Sequence, residues 1–153
     1  MALFLSTYVN KVDQKGRVSV PAQFRAALVA QGAKEIVLFC SGRHKALEGF
    51  SLSHMEEVAR RLDEGLDLFS DAQDDLSASV FGEALQLSFD GDGRIVLPGD
   101  LLAFIGVRDQ AAFVGLGHKF QIWEPAALEA RKAAARQRVK EKNLTIPKGG
   151  RHG

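Results

Sequence analysis

Asp13, Lys15, Gly16 and Arg17 fall within five positions of one another in the stretch VDQKGRVSVPAQF, between apolar flanks. Such a segment can do two kinds of work. The carboxylate can accept backbone N–H groups and tie a turn, and the cations can meet a phosphate row or a base edge in the major groove. Lys11 precedes the segment and Arg25 follows it. The phrase recurs as FDGDGRIVLPGDL, with Arg94 at the place of Arg17 and Asp92 at that of Lys15.

Other chemistries fit less well. Asp90, Asp92, Gly93 and Ile95 match the middle of an EF-hand calcium loop, but its first ligand would be Ser88 and its twelfth Gly99, where a bidentate Glu is needed. No Gly-Lys-Ser/Thr follows the glycines, so they make no phosphate-cradling P-loop. His44, His54, His118 and His152 show no ligand spacing with one another or with a cysteine, and His54 is expected at the surface. The single cysteine, Cys40, lies in the apolar run IVLFC and is expected to be a buried, inert thiol; no disulfide framework or cysteine zinc site is possible. A hydrolase using Ser53 or His118 lacks an indicated partner for either. The expectation is a protein that is no enzyme, with no catalytic residue, metal or cofactor.

With 153 residues, 46% hydrophobic and 25% charged, the chain can bury a substantial core as one domain or two small halves. Its net charge is +1, so a nucleic-acid partner would have to be met by a local patch. The charge is segregated. Residues 1–25 hold Lys11, Lys15, Arg17 and Arg25 against Asp13, a net +3, whereas residues 81–98 hold Arg94 against Glu83, Asp90 and Asp92, a net −2. Residues 53–75 are net −6 and residues 131–151 net +7, faces that solvate the surface or attract each other within or between subunits, the basic one having phosphate contact as a further alternative. No apolar run approaches a membrane span, and the N-terminus lacks the basic leader and long apolar stretch of a signal peptide, so a cytoplasmic protein without a membrane partner is expected.

The elements that must hold these residues repeat as well. A shift of 77 residues places Phe4 on Phe81, Val12 on Phe89, Asp13 on Asp90, Gly16 on Gly93, Arg17 on Arg94, Pro21 on Pro98 and Phe24 on Leu101. Further on a shift of 73 places Phe50 on Trp123 and Met55 on Leu128. Two copies imply two similar halves closing one core about a pseudo-two-fold axis rather than a stacked array. Each copy predicts a strand, a turn at Asp13–Gly16 or its equivalent with Gly at the positive-φ position, and a second strand forming a hairpin. Pro21 and Pro98 then open short helices, whose buried faces are Phe24, Ala27 and Leu28 in one copy and Leu101, Phe104 and Ile105 in the other. EIVLFC and AAFVGLG, then LEGFSL and KFQIWE, follow as strands, and each copy ends in a longer helix. The first such helix is expected to open on a Ser53–Glu56 capping box and to carry Met55, Val58, Leu62, Leu66 and Phe69 as a stripe for the core or for a subunit contact rather than a cofactor site. The second starts at Pro125, and the tail GGRHG is expected to be disordered.

At this point DQKGRVSVPAQFR, its weaker echo, the spacing between them and FQIWEPAALEA together resemble the MraZ family of bacterial regulators, whose chains contain two AbrB-type (SpoVT-AbrB) domains. The resemblance covers nearly the whole chain. It implies an α+β fold in which two intertwined swapped-hairpin repeats form a double-split β-barrel with flanking helices. The corresponding division is residues 1–54 for the first repeat, 55–80 for a connecting helical segment, 81–126 for the second repeat and 127–153 for a basic C-terminal helix and tail. It implies a homo-oligomeric ring that binds short double-stranded DNA repeats upstream of the division and cell-wall gene cluster that includes its own gene, and hence a nucleoid-associated protein with no small-molecule substrate. By that resemblance Lys15, Gly16 and Arg17 lie in the DNA-facing turn, Arg94 occupies the corresponding turn, and Lys11 and Arg25 are further DNA-binding candidates. Arg25 either touches DNA or pairs with an acid such as Asp13. The second copy departs from the pattern in having Asp92, which repels phosphate, and Leu102 opposite Arg25. The competing class is an AbrB-type antitoxin or protein-interaction scaffold, distinguished by a binding strength that is indifferent to salt.

Overall fold

The computed structural model describes residues 3–149. The chain runs through β1 (Thr7–Lys11), β2 (Arg17–Ser19), α1 (Ala22–Ala30), β3 (Glu35–Cys40), β4 (Leu47–Phe50), α2 (Leu52–Gly65) and α3 (Asp71–Val80). It continues through β5 (Leu85–Ser88), β6 (Arg94–Val96), α4 (Gly99–Ile105), β7 (Gln110–Gly115), β8 (Phe120–Trp123) and α5 (Pro125–Glu141). This is an α+β arrangement: a six-stranded antiparallel sheet in the order β1-β7-β8-β4-β3-β5, and a two-stranded sheet of β2 and β6.

The expected tight hairpin forms only at its tip. Asp13 and Arg17 pair across the turn, and Val12 bridges Val18, but the strands then part company. β1 pairs with β7 of the other half, β5 pairs with β3, and β2 pairs with β6. A three-residue β2 cannot satisfy a five-residue β1, so each strand completes its hydrogen bonds on the other half. The register is nearly symmetric. Val18 opposes its own equivalent Ile95 in one sheet, and Glu48 opposes its equivalent Gln121 in the other, so the pseudo-two-fold passes between these pairs.

Between the two sheets lies the main core, centred on Phe24 with Phe4, Tyr8, Phe113 and Phe120 around it at centroid distances of 5.3–6.2 Å. Two smaller clusters cover the outer face of the large sheet: Phe39, Phe50 and Met55 beneath α2, and Ala112, Trp123 and Leu128 beneath α5. Phe50 and Trp123, and Met55 and Leu128, thus occupy equivalent places, as the repeat predicts.

Several local expectations are corrected. α2 is capped by Ser51, whose Oγ accepts from the His54 N–H at 3.2 Å, not by Ser53. β4 ends at Phe50, leaving Ser51 as the only residue between strand and helix. α2 stops at Gly65, and Phe69 sits at φ +68° in the turn before α3, 88% exposed, so it lies outside both the helix and the core of this chain. Phe104 stands 37% exposed where Ala27, its equivalent, is covered. Phe81 packs in the small cluster beneath α2, while Phe4 is in the main core. His54 is half-buried, stacked on Phe50 at 5.1 Å and on His118 at 6.0 Å. Cys40 is half-buried against the core, and burial, with Glu83 and Asp100 adding to it, raises its thiol pKa. No salt bridge among the described residues joins acidic α2 to basic α5; the α2 arginines pair with Glu57 and Glu64 on their own helix. Most of the expected disordered tail, residues 150–153, lies outside the described residues.

Candidate nucleic-acid interface

The first turn is built by Asp13. Its Oδ1 accepts from the backbone N–H of Lys15 and of Arg17, both at 2.9 Å, and its Oδ2 accepts from Arg17 Nε at 2.6 Å. The second turn repeats the device: Asp90 Oδ1 accepts from the N–H of Asp92 at 2.8 Å and of Arg94 at 2.9 Å, and Oδ2 from Arg94 Nε at 2.8 Å. The structural role expected for both aspartates is therefore met. The Arg17 N–H, above all, holds the Asp13 carboxyl below the usual carboxylate range, and the Arg94 N–H does the same for Asp90. Both carboxylates favour the folded turn above about pH 4, and that contribution is lost as pH falls through their depressed folded values.

Gly16 and Gly93 take φ +83° and +76°, and each glycine carbonyl accepts from the opposite half: Gly16 O from Leu97 N at 2.8 Å, Gly93 O from Val20 N at 3.1 Å. The two turns are thereby locked side by side across β2 and β6. A Cβ on Gly16 would lie 2.5 Å from the Leu97 carbonyl oxygen, so the close approach requires glycine.

Three predicted site residues, Lys11, Arg17 and Arg94, line one shallow cleft of about 470 Å³, together with Asp13, Gln14, Ser19 and Asp109. Lys15 is exposed at the tip of the first turn, with no hydrogen-bond or ion-pair partner for its side chain among the described residues. Arg94 is more heavily engaged than Arg17, since its second guanidinium nitrogen also reaches Asp92 at 3.4 Å. Arg25 does not join this cleft and does not pair with Asp13. Its Nε donates to the Val20 carbonyl at 3.1 Å, and its guanidinium lies over Gly93, within 2.7 Å of where a Cβ would be. The arrangement presents fixed cations on two rigid turns.

Residues 3–76 and 80–144 match the family described as "MraZ protein, putative antitoxin-like". The chain belongs to the MraZ family. Its curated relatives include proteins named "Transcriptional regulator MraZ": that of Rickettsia peacockii (strain Rustic) is 44% identical over 146 residues, covering 95% of this chain and 97% of the relative. That of Rickettsia bellii (strain OSU 85-389) is 42% identical over 147 residues with the same coverage, and that of Rickettsia akari (strain Hartford) 42% over 146.

In this MraZ-family chain the motif did not point to every residue beside the turns. Asn10 Nδ2 donates to the Ser19 carbonyl at 2.7 Å and braces the parting strands. Asp109 of the second half enters the first turn's cleft, and Lys34 of the first half flanks the second turn. At the far end of the axis, Gln121 Nε2 donates to both Glu48 oxygens at 3.1–3.2 Å, Lys119 Nζ to Glu48 Oε1 at 3.0 Å, and Trp123 Nε1 to Gln121 Oε1 at 2.8 Å. Asn10, Asp109, Lys34 and the Glu48 group lie outside the repeated phrase, and the pairing of unlike halves is what brings Asp109 and Lys34 to the turns and Lys119 and Gln121 to Glu48.

Proposed function

We propose that this MraZ-family chain is a sequence-specific DNA-binding transcription regulator that reads short duplex repeats through its two turns. The observation that carries the reading is the locked pair of turns, which brings Lys11, Arg17 and Arg94 to one cleft and leaves Lys15 unpartnered at a tip. The names of the relatives, transcriptional regulators, support it. On this reading Lys15, Gly16 and Arg17 form the principal contact, and Arg94 and Lys11 flank it. Arg25 belongs to the second turn rather than the first. The segments 1–54 and 81–126 act as two intertwined repeats closing a double-split barrel, joined by 55–80 and followed by the basic 127–153. The protein assembles as a homo-oligomeric ring, so that identical turns meet successive repeats and weak single contacts sum to useful affinity. Its targets lie upstream of the division and cell-wall gene cluster that includes its own gene, which places it in the cytoplasm at the nucleoid. No helix among the described residues is long and apolar enough to cross a membrane.

The test is a gel shift on the protein's own upstream DNA. The double variant Lys15→Ala, Arg17→Ala is expected to lose the shift while eluting at wild-type size in gel filtration. A wild-type shift by that variant removes the assignment. The antitoxin-like description of the family keeps a protein partner as the second reading. A salt series separates the two, because duplex binding weakens by a log–log slope of about −0.9 per phosphate contact and an apolar interface does not.

A further inference from the structure

Strand exchange decides which charges surround each turn. Counted by segment, the second turn is acidic. In the folded chain it is flanked by two cations from the first half. Arg25, on α1, lies over Gly93, and Lys34, ahead of β3, lines the same cleft of about 320 Å³ with Val29, Phe89 and Gly91. Arg25 uses its Nε on the Val20 carbonyl, leaving both terminal guanidinium nitrogens without a partner among the described residues, and Lys34 has none either. The Gly91 N–H is also unpartnered among the described residues, and no atom stands within 4 Å of where a Gly91 side chain would begin. Of the nearby acids, Asp90 is held by Arg94 and two backbone N–H groups, Asp92 by Arg94, and Glu35, next to Lys34, accepts from Gln86 Nε2 at 3.1 Å and Ser88 Oγ at 2.9 Å.

We propose that Arg25, Lys34 and the Gly91 backbone form a composite phosphate-binding site on the second turn, which takes a phosphate of the duplex backbone. The site deepens the DNA-binding reading above and rests on it. It has no counterpart on the first turn, where Leu102 stands at the place of Arg25 and Asp109 lines the cleft. The two turns therefore grip the duplex by different means. The first uses its own Lys15 and Arg17. The second, whose Arg94 is bound up with two carboxylates, uses cations lent by the other half. A guanidinium-bearing and an ammonium-bearing residue lining one cleft with an open N–H suit a phosphate oxygen set and offer nothing specific to a base edge.

The test uses the full-length protein and its own upstream duplex, with affinity read by fluorescence anisotropy across a salt series and fold by thermal unfolding. The variant Arg25→Ala, Lys34→Ala is expected to bind about tenfold more weakly and to flatten the log–log salt slope by about 0.9 for a lost phosphate contact. Lys34→Ala alone, at an exposed and unpaired residue, is expected to weaken binding without moving the unfolding temperature, and it carries the test should Arg25→Ala disturb the fold. Arg25→Lys keeps the charge and is expected to keep the slope. Wild-type affinity and slope in both Lys34→Ala and the double variant, with binding lost in Arg17→Ala, overturns the composite site alone. Arg25→Lys weakening binding as much as Arg25→Ala, with the slope unchanged in both, reduces Arg25 to a brace and overturns it too. A wild-type protein that shows no salt-dependent binding to the duplex overturns the DNA reading, and the site with it.

Discussion

Arg17 and Arg94 are equivalent in the repeat, yet they are not equally available. Arg17 makes one ion pair, with Asp13, whereas Arg94 is shared between Asp90 and Asp92. Moving Arg94 onto a phosphate means giving up two carboxylates, and that raises the cost of the contact. Arg94→Ala is therefore expected to reduce affinity for the upstream duplex less than Arg17→Ala does, in side-by-side anisotropy titrations; equal losses would mean that both guanidinium groups reach the DNA alike. Asp92→Lys, which restores the first turn's pattern at the second, is expected to tighten binding several-fold at low salt and to steepen the salt slope.

At the scale of elements, the turn is what makes the interface rigid. Gly16 and Gly32 have similar positive φ, +83° and +75°, but a Cβ on Gly16 meets the Leu97 carbonyl, while at Gly32 nothing lies within 4 Å. Both alanine variants incur the left-handed backbone penalty of roughly 1–2 kcal/mol. Gly16→Ala adds a clash with backbone that cannot swing away, so its unfolding temperature is expected to fall further than that of Gly32→Ala, with DNA binding lost alongside. This turn is legible in the amino-acid sequence because Asp, Gly and Arg act within five residues. Pro21 and Pro98 ahead of short helices are legible for the same reason. Strand partners are not: Tyr8 pairs with Phe113 and Leu38 with Leu85, and no local rule selects such distant mates. Helix ends blur where two candidates lie close, as with Ser51 and Ser53, and where a helical apolar spacing runs past a break, as at Phe69. Charge summed by segment misleads because α1 and the lead into β3 serve the turn of the other half.

Across the whole molecule, α2 and α5 close the outer face of the large sheet, and histidines sit at both closures. His54 on α2 has its pKa lowered by burial first and then by His118, with Arg61 and Lys119 adding to it and Glu57 opposing. His44, 5.4 Å from the Trp123 ring, is lowered by burial first and then by Arg131 and Arg43. A histidine whose folded pKa is depressed contributes stability that is full above its unfolded value, about 6.5, and lost as pH falls through the folded value. The unfolding temperature is therefore expected to drop between about pH 7.5 and 5.5, and the variant His44→Gln, His54→Gln to show a flatter profile. An unchanged profile would place the acid sensitivity elsewhere.

Glu48 and Gln121 face each other on the pseudo-two-fold axis, and Glu48 is only 9% exposed. Were a first half to mate with another first half in the same way, Glu48 would confront Glu48, two carboxylates in a nearly dry place with neither the Gln121 amide nor the Lys119 ammonium to donate to them. Gln121 meets the carboxylate with an amide and brings Lys119 beside it. The chain so carries a kinship rule that turns like away from like. A fragment of residues 1–66 is expected to remain unpaired in sedimentation at neutral pH, and the Glu48→Gln form of that fragment to self-associate. Two neighbouring proteins could still trade opposite halves freely, because the rule recognises which half arrives and not whose it is.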